Sequence, residues 1–558
     1  MAERQQTGDT GESVVESIER RTEQAFAAPE FRKYQDDAII TLLKKLELEG
    51  KQVVQLNAPT GSGKSLILHA LGKAYRGDVF FTTPLNSLVD QVENDEFMGG
   101  SVITLKGRNN YECIHPKDEG KPVDKAICQR KSNFDCGVKS ECPYYGRKQK
   151  AIGHDFAVTN LSYIMADSMI PGEVHDTFGD RNILIVDECQ SIEDFALNFV
   201  GITISERKVP DNVWRNINLP PERHEHNFKL LTDWIENEVR PAIQQERERL
   251  DRLPQKTEKQ ASSQERLQQF ENKVNNFLKD ARENDWIAQF EREIVKNGDD
   301  LEKWTFKPIE VGRFLDELLW DRADLIVLSS ATIPGGNWLE EIGLGGYTVP
   351  KINVPSTFPV ENRPIVTDHA VGKMTYNERD ENAWPMAQKI KAIAEHHEGD
   401  KGFVHCRSYN MADLLRRSFI NHDEGQWFRD NVIVQDRDSR EESLEAWKER
   451  DEQLFFSVAM DEGVDLKGDL CRFQILAKTL YKSMQSKRVK YRVEERGDWD
   501  WYNRSASTQI QQAYGRGVRS PEDECVFYIL DESAVGLIER CPELFNGWFK
   551  EAIIDMEA

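Results

Sequence analysis

The octapeptide APTGSGKS at 58–65 sets two glycines beside a lysine and a terminal hydroxyl. Gly61 and Gly63 let the backbone curl so that successive N–H groups point inward, an arrangement that cradles phosphate oxygens. Lys64 can reach terminal phosphates, and the Ser65 hydroxyl can ligate Mg²⁺. Ala58, Thr60 and Ser62 complete a candidate loop for the phosphates of ATP, with Ala58 where the strict pattern has glycine. Farther along, NILIVDECQS (182–191) ends an apolar run in Asp187 and Glu188. An Asp there can hold Mg²⁺ through water, and the adjacent Glu can orient and deprotonate an attacking water.

A second cluster is made of thiols. Of nine cysteines, Cys113, Cys128, Cys136 and Cys142 crowd one lysine-rich segment. Four thiolates can hold a [4Fe–4S] cluster or a Zn²⁺ ion. Structural zinc sites favour close pairs, and no close pair occurs here, so spacing leans toward a cluster and leaves zinc open. So polar a loop lacks the apolar side chains to fold alone, and metal coordination would supply the order. Arg108, Lys131, Lys139, Arg147 and Lys148 surround the thiols. Tyr111, Tyr144 and Tyr145 either offer faces for base stacking or pack the loop. The other five cysteines, Cys189, Cys406, Cys471, Cys525 and Cys541, read as small buried hydrophobes.

These groups must be positioned by ordered elements. Val53–Leu56 reads as a buried strand ahead of the phosphate loop, with a helix after it. Strand-like runs recur in FFTTPLNSLVDQ (80–91), FAVTNLSYIM (156–165), LIVLSSATI (325–333), GFVHCRSY (402–409), NVIVQD (431–436), LFFSVAMDEGVDL (454–466) and CVFYILD (525–531). Amphipathic helical stretches alternate with them, which predicts an α/β fold with two parallel-sheet units. In QQAYGRGVRS (511–520) the spacing predicts a helix with Arg516 and Arg519 on one face. These two could reach a γ-phosphate as arginine fingers, with Gln512 beside them; an ordinary solvated helix is the alternative.

Residues 200–310 are predicted to form long polar helices. Leu267, Phe270, Val274 and Phe277 recur at helical spacing as a bundle seam, and Pro241 and Pro254 mark breaks. KTLYKSMQSKRVKYR (478–492) holds six basic residues and no acidic one. It is either a phosphate-tracking surface or a solvated loop.

The chain has 558 residues, a formal net charge of −24, 39% hydrophobic and 30% charged residues. That length predicts three to four domains. An acidic surface repels phosphates, so nucleic-acid binding requires a local basic groove. No apolar run is long enough to span a bilayer, and the N-terminus lacks signal-peptide order. The expectation is a soluble, cytoplasmic protein without membrane partners, its residues 1–28 a loose acidic tail.

The ordered set FRKYQ, APTGSGKS, TTPLNSLVDQ, VDECQ, SSATI, MDEGVDLKGD and QAYGRGVRS resembles the motif series of superfamily 2 helicases. The four-cysteine segment, flanked by KGRNNYECIHP and CPYYGRKQKAIGHDFAVTNLSYIM, narrows the resemblance to the XPD/DinG-type iron–sulfur DNA helicases. It covers roughly residues 29–535 and is more specific than any single motif. It implies two RecA-like motor domains with an inserted iron–sulfur domain and an inserted helical arch. The implied boundaries are motor domain 1 at 29–106, 151–198 and 311–355, cluster domain at 107–150, arch at 199–310 and motor domain 2 at 356–558. It further implies that Gln35 reads adenine, that Asp465 joins the ATP site, and that Glu462, Gly463 and Asp465 couple nucleotide to strand. Thr82, Thr83, Arg108, Tyr144 and Tyr145 would contact DNA.

The implied activity is ATP-dependent translocation on single-stranded DNA, 5′→3′, with strands parted at duplex junctions by a monomer. A binding scaffold without processive unwinding and an RNA-directed motor are the alternatives. Gln190 departs from the family's histidine, ILDES (529–533) lacks a basic residue that some members carry, and no nuclease domain is expected ahead of the motor.

Lys64→Ala is expected to keep the fold, read by circular dichroism, and to abolish ATP hydrolysis, read by phosphate release. Full strand-stimulated turnover in that variant counts against the phosphate-loop assignment.

Overall fold

Val53–Asn57 (β1) is buried along its whole length, as a strand covered on both faces must be. The computed structural model describes residues 13–131, 134–169, 178–294, 300–437, 439–451, 453–458, 466 and 468–554. After β1 the chain lays down β2 (Val79–Thr83), β3 (Ile103–Thr104), β4 (Phe156–Asn160) and β5 (Arg181–Val186). It then leaves for an insertion containing β6 (Ile202–Ser205), β7 (Trp286–Ile294) and β8 (Asp300–Pro308). It returns with β9 (Ala323–Ser330) and β10 (Lys351–Asn353). The resulting seven-stranded sheet has the order β10-β1-β9-β5-β2-β4-β3, and its pairs are parallel.

A second lobe carries β11 (Ile365–Val366), β12 (Gly402–His405), β13 (Val432–Val434), β14 (Leu454–Ser457), β15 (Phe473–Leu476), β16 (Val526–Ile529) and β17 (Ile553–Ile554). These form another parallel sheet, in the order β13-β14-β12-β15-β16-β11-β17. Two parallel sheets covered by helices are what the alternating pattern predicted. Among the described residues no helix is long and apolar enough to cross a membrane.

The four-cysteine segment leaves the first sheet between β3 and β4. Among its described residues it contains the short helices Ile127–Arg130 and Tyr145–Ile152, single turns and one antiparallel bridge between Glu112 and Pro122. Val123, Ala126 and Tyr144 join it to the core of the first lobe.

The second insertion differs from the all-helical expectation. Glu258–Asp280 is a helix, and Leu267, Phe270, Val274 and Phe277 are buried in one cluster as its spacing predicted. The chain then turns into the long β7–β8 hairpin, paired antiparallel with β6. Trp286 and Ala288 on β7, with Trp304 and Phe306 on β8, are buried at period two. Dense charge between them disguised this alternation. Pro241 does not break its helix either. The helix runs on without a break from Phe228 to Asp251, and the π-helical turn Ile235–Val239 just ahead of Pro241 is where its hydrogen-bond ladder shifts. Pro254 does separate two helices.

The basic stretch 478–492 packs the lobes together instead of lying free in solvent. Glu193, just past the Asp187–Glu188 pair, accepts from Arg488 at 2.8 Å, Arg492 at 3.2 Å and the Trp501 indole at 2.9 Å. Arg492 and Arg504 also reach Glu341, at 3.1 and 2.6 Å. Arg488 and Arg492 lie over the Trp501 ring. Burial opposes the Glu193 charge, but Arg488, Lys482 and Arg492 outweigh it and pull the carboxyl down to about 2.

Glu193→Gln takes the carboxylate from the buried Arg488 guanidinium and leaves Arg492 with Glu341 and Asp498. The expected cost is about 3 kcal/mol, read as a lower first thermal unfolding transition. Because the folded-state pKa is depressed, this carboxylate stabilises fully above its ordinary value of 4.5 and loses that contribution as pH falls toward about 2. The difference between parent and variant therefore shrinks on acidification.

Candidate active site

The phosphate loop curls as its glycines require, with Gly61 at φ 81° and Gly63 at φ 75°. Helix Lys64–Tyr75 starts immediately after, aiming its N-terminal N–H groups at the loop. β5 lies two strands from β1 and ends in Asp187 and Glu188. Glu188 adopts the left-handed conformation at φ 51°, a strained choice for a residue with a side chain. Lys64 Nζ lies 2.9 Å from Asp187 Oδ1 and donates to Glu188.

The electrostatics of this trio are one-sided. Burial works against the Lys64 charge, yet Asp187 and Glu188 outweigh it and hold the ammonium above its ordinary range. Burial, with Glu188 nearby, pushes Asp187 up. Burial also opposes the Glu188 charge, but Lys64, Gln190 and Arg516 hold that carboxyl below its ordinary value.

Arg516 comes from the second lobe, so that lobe's charge is felt at the acid pair. Two further contacts bring the lobes together. A β-carbon on Gly515 would lie 3.2 Å from Thr60 Oγ1, and one on Gly61 would overlap the Phe358 ring at 2.0 Å. Phe358 carries no periodic or motif signal that could have found it in the sequence.

The helical placement of Arg516 and Arg519 is corrected. The helix is Trp499–Tyr514, and both arginines lie in the turn beyond it. Asp523 shapes that turn, accepting from the main-chain N–H groups of Arg519 and Ser520 at 2.8 Å each. Gln512 stays on the helix and lines a cavity between the lobes that Gln190 also lines.

Ala58 and Ser62 are buried, while Thr60 and Ser65 are partly exposed. Gln35 braces the phosphate loop: its Oε1 accepts from Arg32 N at 2.8 Å and its Nε2 donates to Ser62 O at 3.0 Å. Glu462, Gly463 and Asp465 lie outside the described residues.

Several expected strand contacts are corrected. Thr82 and Thr83 are buried, and their hydroxyls donate to the Ile185 and Leu85 carbonyls at 3.1 Å each. They bind the sheet to its neighbours instead of facing a strand. Tyr144 is buried, with its hydroxyl 2.9 Å from that of Tyr163. Tyr145 keeps a half-buried ring; its hydroxyl accepts from Gln129, which in turn accepts from Arg108 at 2.6 Å. Arg108 and Tyr145 thus share one bridge beside the thiols.

Cys113 and Cys142 are buried, and Cys128 and Cys136 partly exposed. Burial raises the Cys128 thiol, and charge on Cys136, Cys113 and Cys142 raises it further. Among the described residues no three His, Cys, Asp or Glu side chains form a set that could hold a metal ion. Of the scattered cysteines, Cys189, Cys406, Cys471 and Cys525 are buried as expected, whereas Cys541 is partly exposed.

Residues 28–194 match the family model described as type III restriction enzyme, res subunit, and residues 390–552 match the helicase C-terminal domain. An ATP-dependent DNA helicase YoaA from Haemophilus influenzae is 21% identical over 88% of this chain and 89% of its own. An ATP-dependent DNA helicase DinG from Photobacterium profundum is 26% identical over 44% of this chain and 38% of its own. Among solved structures, S. tokodaii Xpd4 superposes with a TM-score of 0.56 at 16% identity, over 94% of this chain and all of that one. A structure titled XPD helicase gives 0.59 at 15% identity, over 94% and 98%.

The chain resembles the XPD/DinG-type helicases of superfamily 2 in sequence and in fold.

Against that family's usual Asp-Glu-Ala-His, the local role of Gln190 matters. Its Nε2 donates to Glu188 Oε2 at 2.9 Å, so an amide orients the acid. Its Oε1 is buried and, among the described residues, has no partner. Gln190→Ala removes a hydrogen bond to a charged group. It is expected to lower kcat for ATP hydrolysis roughly tenfold with KM for ATP little changed. Gln190→His is expected to introduce a pH dependence near the imidazole range that the parent lacks.

Proposed function

We propose that this protein is an ATP-dependent DNA helicase that moves along single-stranded DNA, 5′→3′, and parts strands at duplex junctions. The observation that carries this reading is the contact of Lys64 with Asp187 and Glu188 in one lobe, with Arg516 of the other lobe within the electrostatic reach of Glu188. An incoming ATP offers Lys64 phosphate oxygens in place of the two carboxylates. Release from Lys64 leaves Glu188 poised by Gln190 to orient a water and accept its proton. Arg516 adds positive charge where the γ-phosphoryl charge spreads in the transition state. Ser65 and Asp187 would hold Mg²⁺, which neutralises developing phosphate charge when bound. Closure of the lobes with ATP and opening after hydrolysis alternate the grip on the backbone.

The four cysteines suit a [4Fe–4S] cluster. The four thiols are spaced without the close pairs that zinc favours, and they feel one another's charge. Tetrahedral zinc brings its thiolates to within about 3.8 Å of each other, whereas a four-iron cluster is larger and holds them farther apart. His115 N–H and the Gln129 amide already donate to Cys113 and Cys128 sulfurs, at 3.4 and 3.5 Å, as second partners of a ligated thiolate do. A bound cluster would supply rigidity to a polar segment. Arg108 and Tyr145 beside it would meet the parting strands.

Gln190 was the reason to consider a scaffold that has lost coupling. Its amide on Glu188 supports hydrolysis, and the coupling of hydrolysis to movement, on which this alternative and the acidic balance of the chain bear, is decided by strand displacement.

The test is strand displacement on DNA and RNA duplexes with a Glu188→Gln control, together with metal analysis. Expected are ATP-dependent unwinding of DNA from a 5′ overhang, none by the control, and iron with brown colour that Cys136→Ser loses. Strand binding without displacement supports the scaffold, preference for RNA supports the RNA motor, and stoichiometric zinc replaces the cluster.

A further inference from the structure

A groove of about 490 Å³ runs between the β7–β8 hairpin and residues 485–488 of the second lobe. That volume falls within the usual range of ligand pockets. One wall is the outward face of the hairpin. Period-two alternation turns Trp286, Ala288, Trp304 and Phe306 into the core and leaves Gln289, Thr305 and Lys307 on the other side. In the ladder Gln289 pairs with Thr305, and Lys307 with Ile287. The opposite wall is Gln485, Ser486 and Arg488. Gln289 stitches the walls together, accepting from Lys487 N at 3.0 Å and donating to Gln485 O at 3.4 Å.

Charge in this groove is unevenly satisfied. The guanidinium of Arg488 is committed to Glu193, Pro308 O and Ile309 O. Glu291 is paired with Lys303 at 2.8 Å, and Asp194 with Lys482 at 2.8 Å. Lys307 is half-buried on the groove wall and, among the described residues, has no hydrogen-bond or ion-pair partner. Burial and nearby Arg488 hold its ammonium below the ordinary lysine range. Glu291 and Asp194 attract Lys307 from a distance but bond other lysines, so an anion in direct contact with Lys307 would come from outside the chain. Thr305 and Ser486 hydroxyls on the two walls can donate to the same anion.

We propose that this groove is a phosphate subsite for a phosphodiester of a bound single strand, with Lys307 as its charged contact. The assignment of a strand rests on the helicase reading; the anion chemistry does not. The basic stretch 478–492 supplies the groove's far wall, while the unpaired charge comes from the hairpin, from which the sequence pattern gave no such indication.

The experiment is equilibrium binding of a labelled single-stranded oligonucleotide to the full chain across a salt series, without nucleotide. The parent is compared with Lys307→Ala, Lys307→Arg and Thr305→Glu, and thermal unfolding checks each fold. Lys307→Ala is expected to flatten the slope of log affinity against log salt by about 0.7 and to bind about fivefold more weakly near 0.1 M salt. Lys307→Arg is expected to restore the slope, and Thr305→Glu to weaken binding like the alanine variant. An unchanged slope and affinity in Lys307→Ala overturns the subsite while leaving the helicase reading intact. If the parent itself binds no oligonucleotide, the helicase reading fails. Calorimetry with inorganic pyrophosphate, comparing parent with Lys307→Ala, then decides the anion site alone: equal binding overturns it, and loss in the variant keeps it as a site for free phosphate.

Discussion

A half-buried ammonium held between two carboxylates is the interaction on which this molecule's chemistry turns. Lys64 opens one helix, and Asp187 with Glu188 closes a strand two places away in the sheet. Parallel strands deliver their C-terminal ends to one edge, so a loop after β1 and an acid pair after β5 must meet there. Burial makes each charge costly alone: the two carboxylates sustain the ammonium and the ammonium sustains Glu188, while burial and Glu188 still push Asp187 up. In the proposed function such a trio is a poised state: an incoming phosphate would compete for the ammonium and leave a carboxylate free.

The second requirement is that two lobes share this edge. Arg516 reaches the field of Glu188, Gly515 approaches Thr60, and the Phe358 ring rests on Gly61. Glycine at 61 is needed twice over, for its positive φ and because a side chain would occupy the place of the ring. A few residues away, Glu193 gathers Arg488, Arg492 and Trp501 into a buried network. Glu188, the acid proposed for hydrolysis, and Glu193, which joins the lobes, are thus five residues apart on one continuous turn and helix. Movement of the lobes and the state of the site are mechanically close, and Gln190 stands between them with its amide on Glu188.

The insertions show how strongly context overrides local composition. A hairpin rich in Glu, Arg and Lys was hidden by its charge, because its outward face is polar and only alternate positions are apolar. The arginines of 478–492 read as solvated because the stretch holds six cations and no acid of its own. Their acidic partners, Glu193 and Glu341, sit hundreds of positions earlier. Thr82 and Thr83 likewise looked available at a strand end, and turned out to be spent on backbone carbonyls.

By itself the sequence determined the two parallel sheets, the phosphate loop, the acid pair and the thiol cluster. Each is encoded locally: apolar runs of strand length, glycines that permit positive φ, and acids at the end of a buried run. Only the tertiary structure decided what those residues touch. It took Arg516 and Arg519 out of the helix, gave Gln35 to the phosphate loop, buried Tyr144 and left Lys307 facing a groove with no carboxylate bonded to it among the described residues. Those outcomes depend on which side chains from distant segments compete for the same space and the same hydrogen bonds, and spacing along a chain carries no information about that competition.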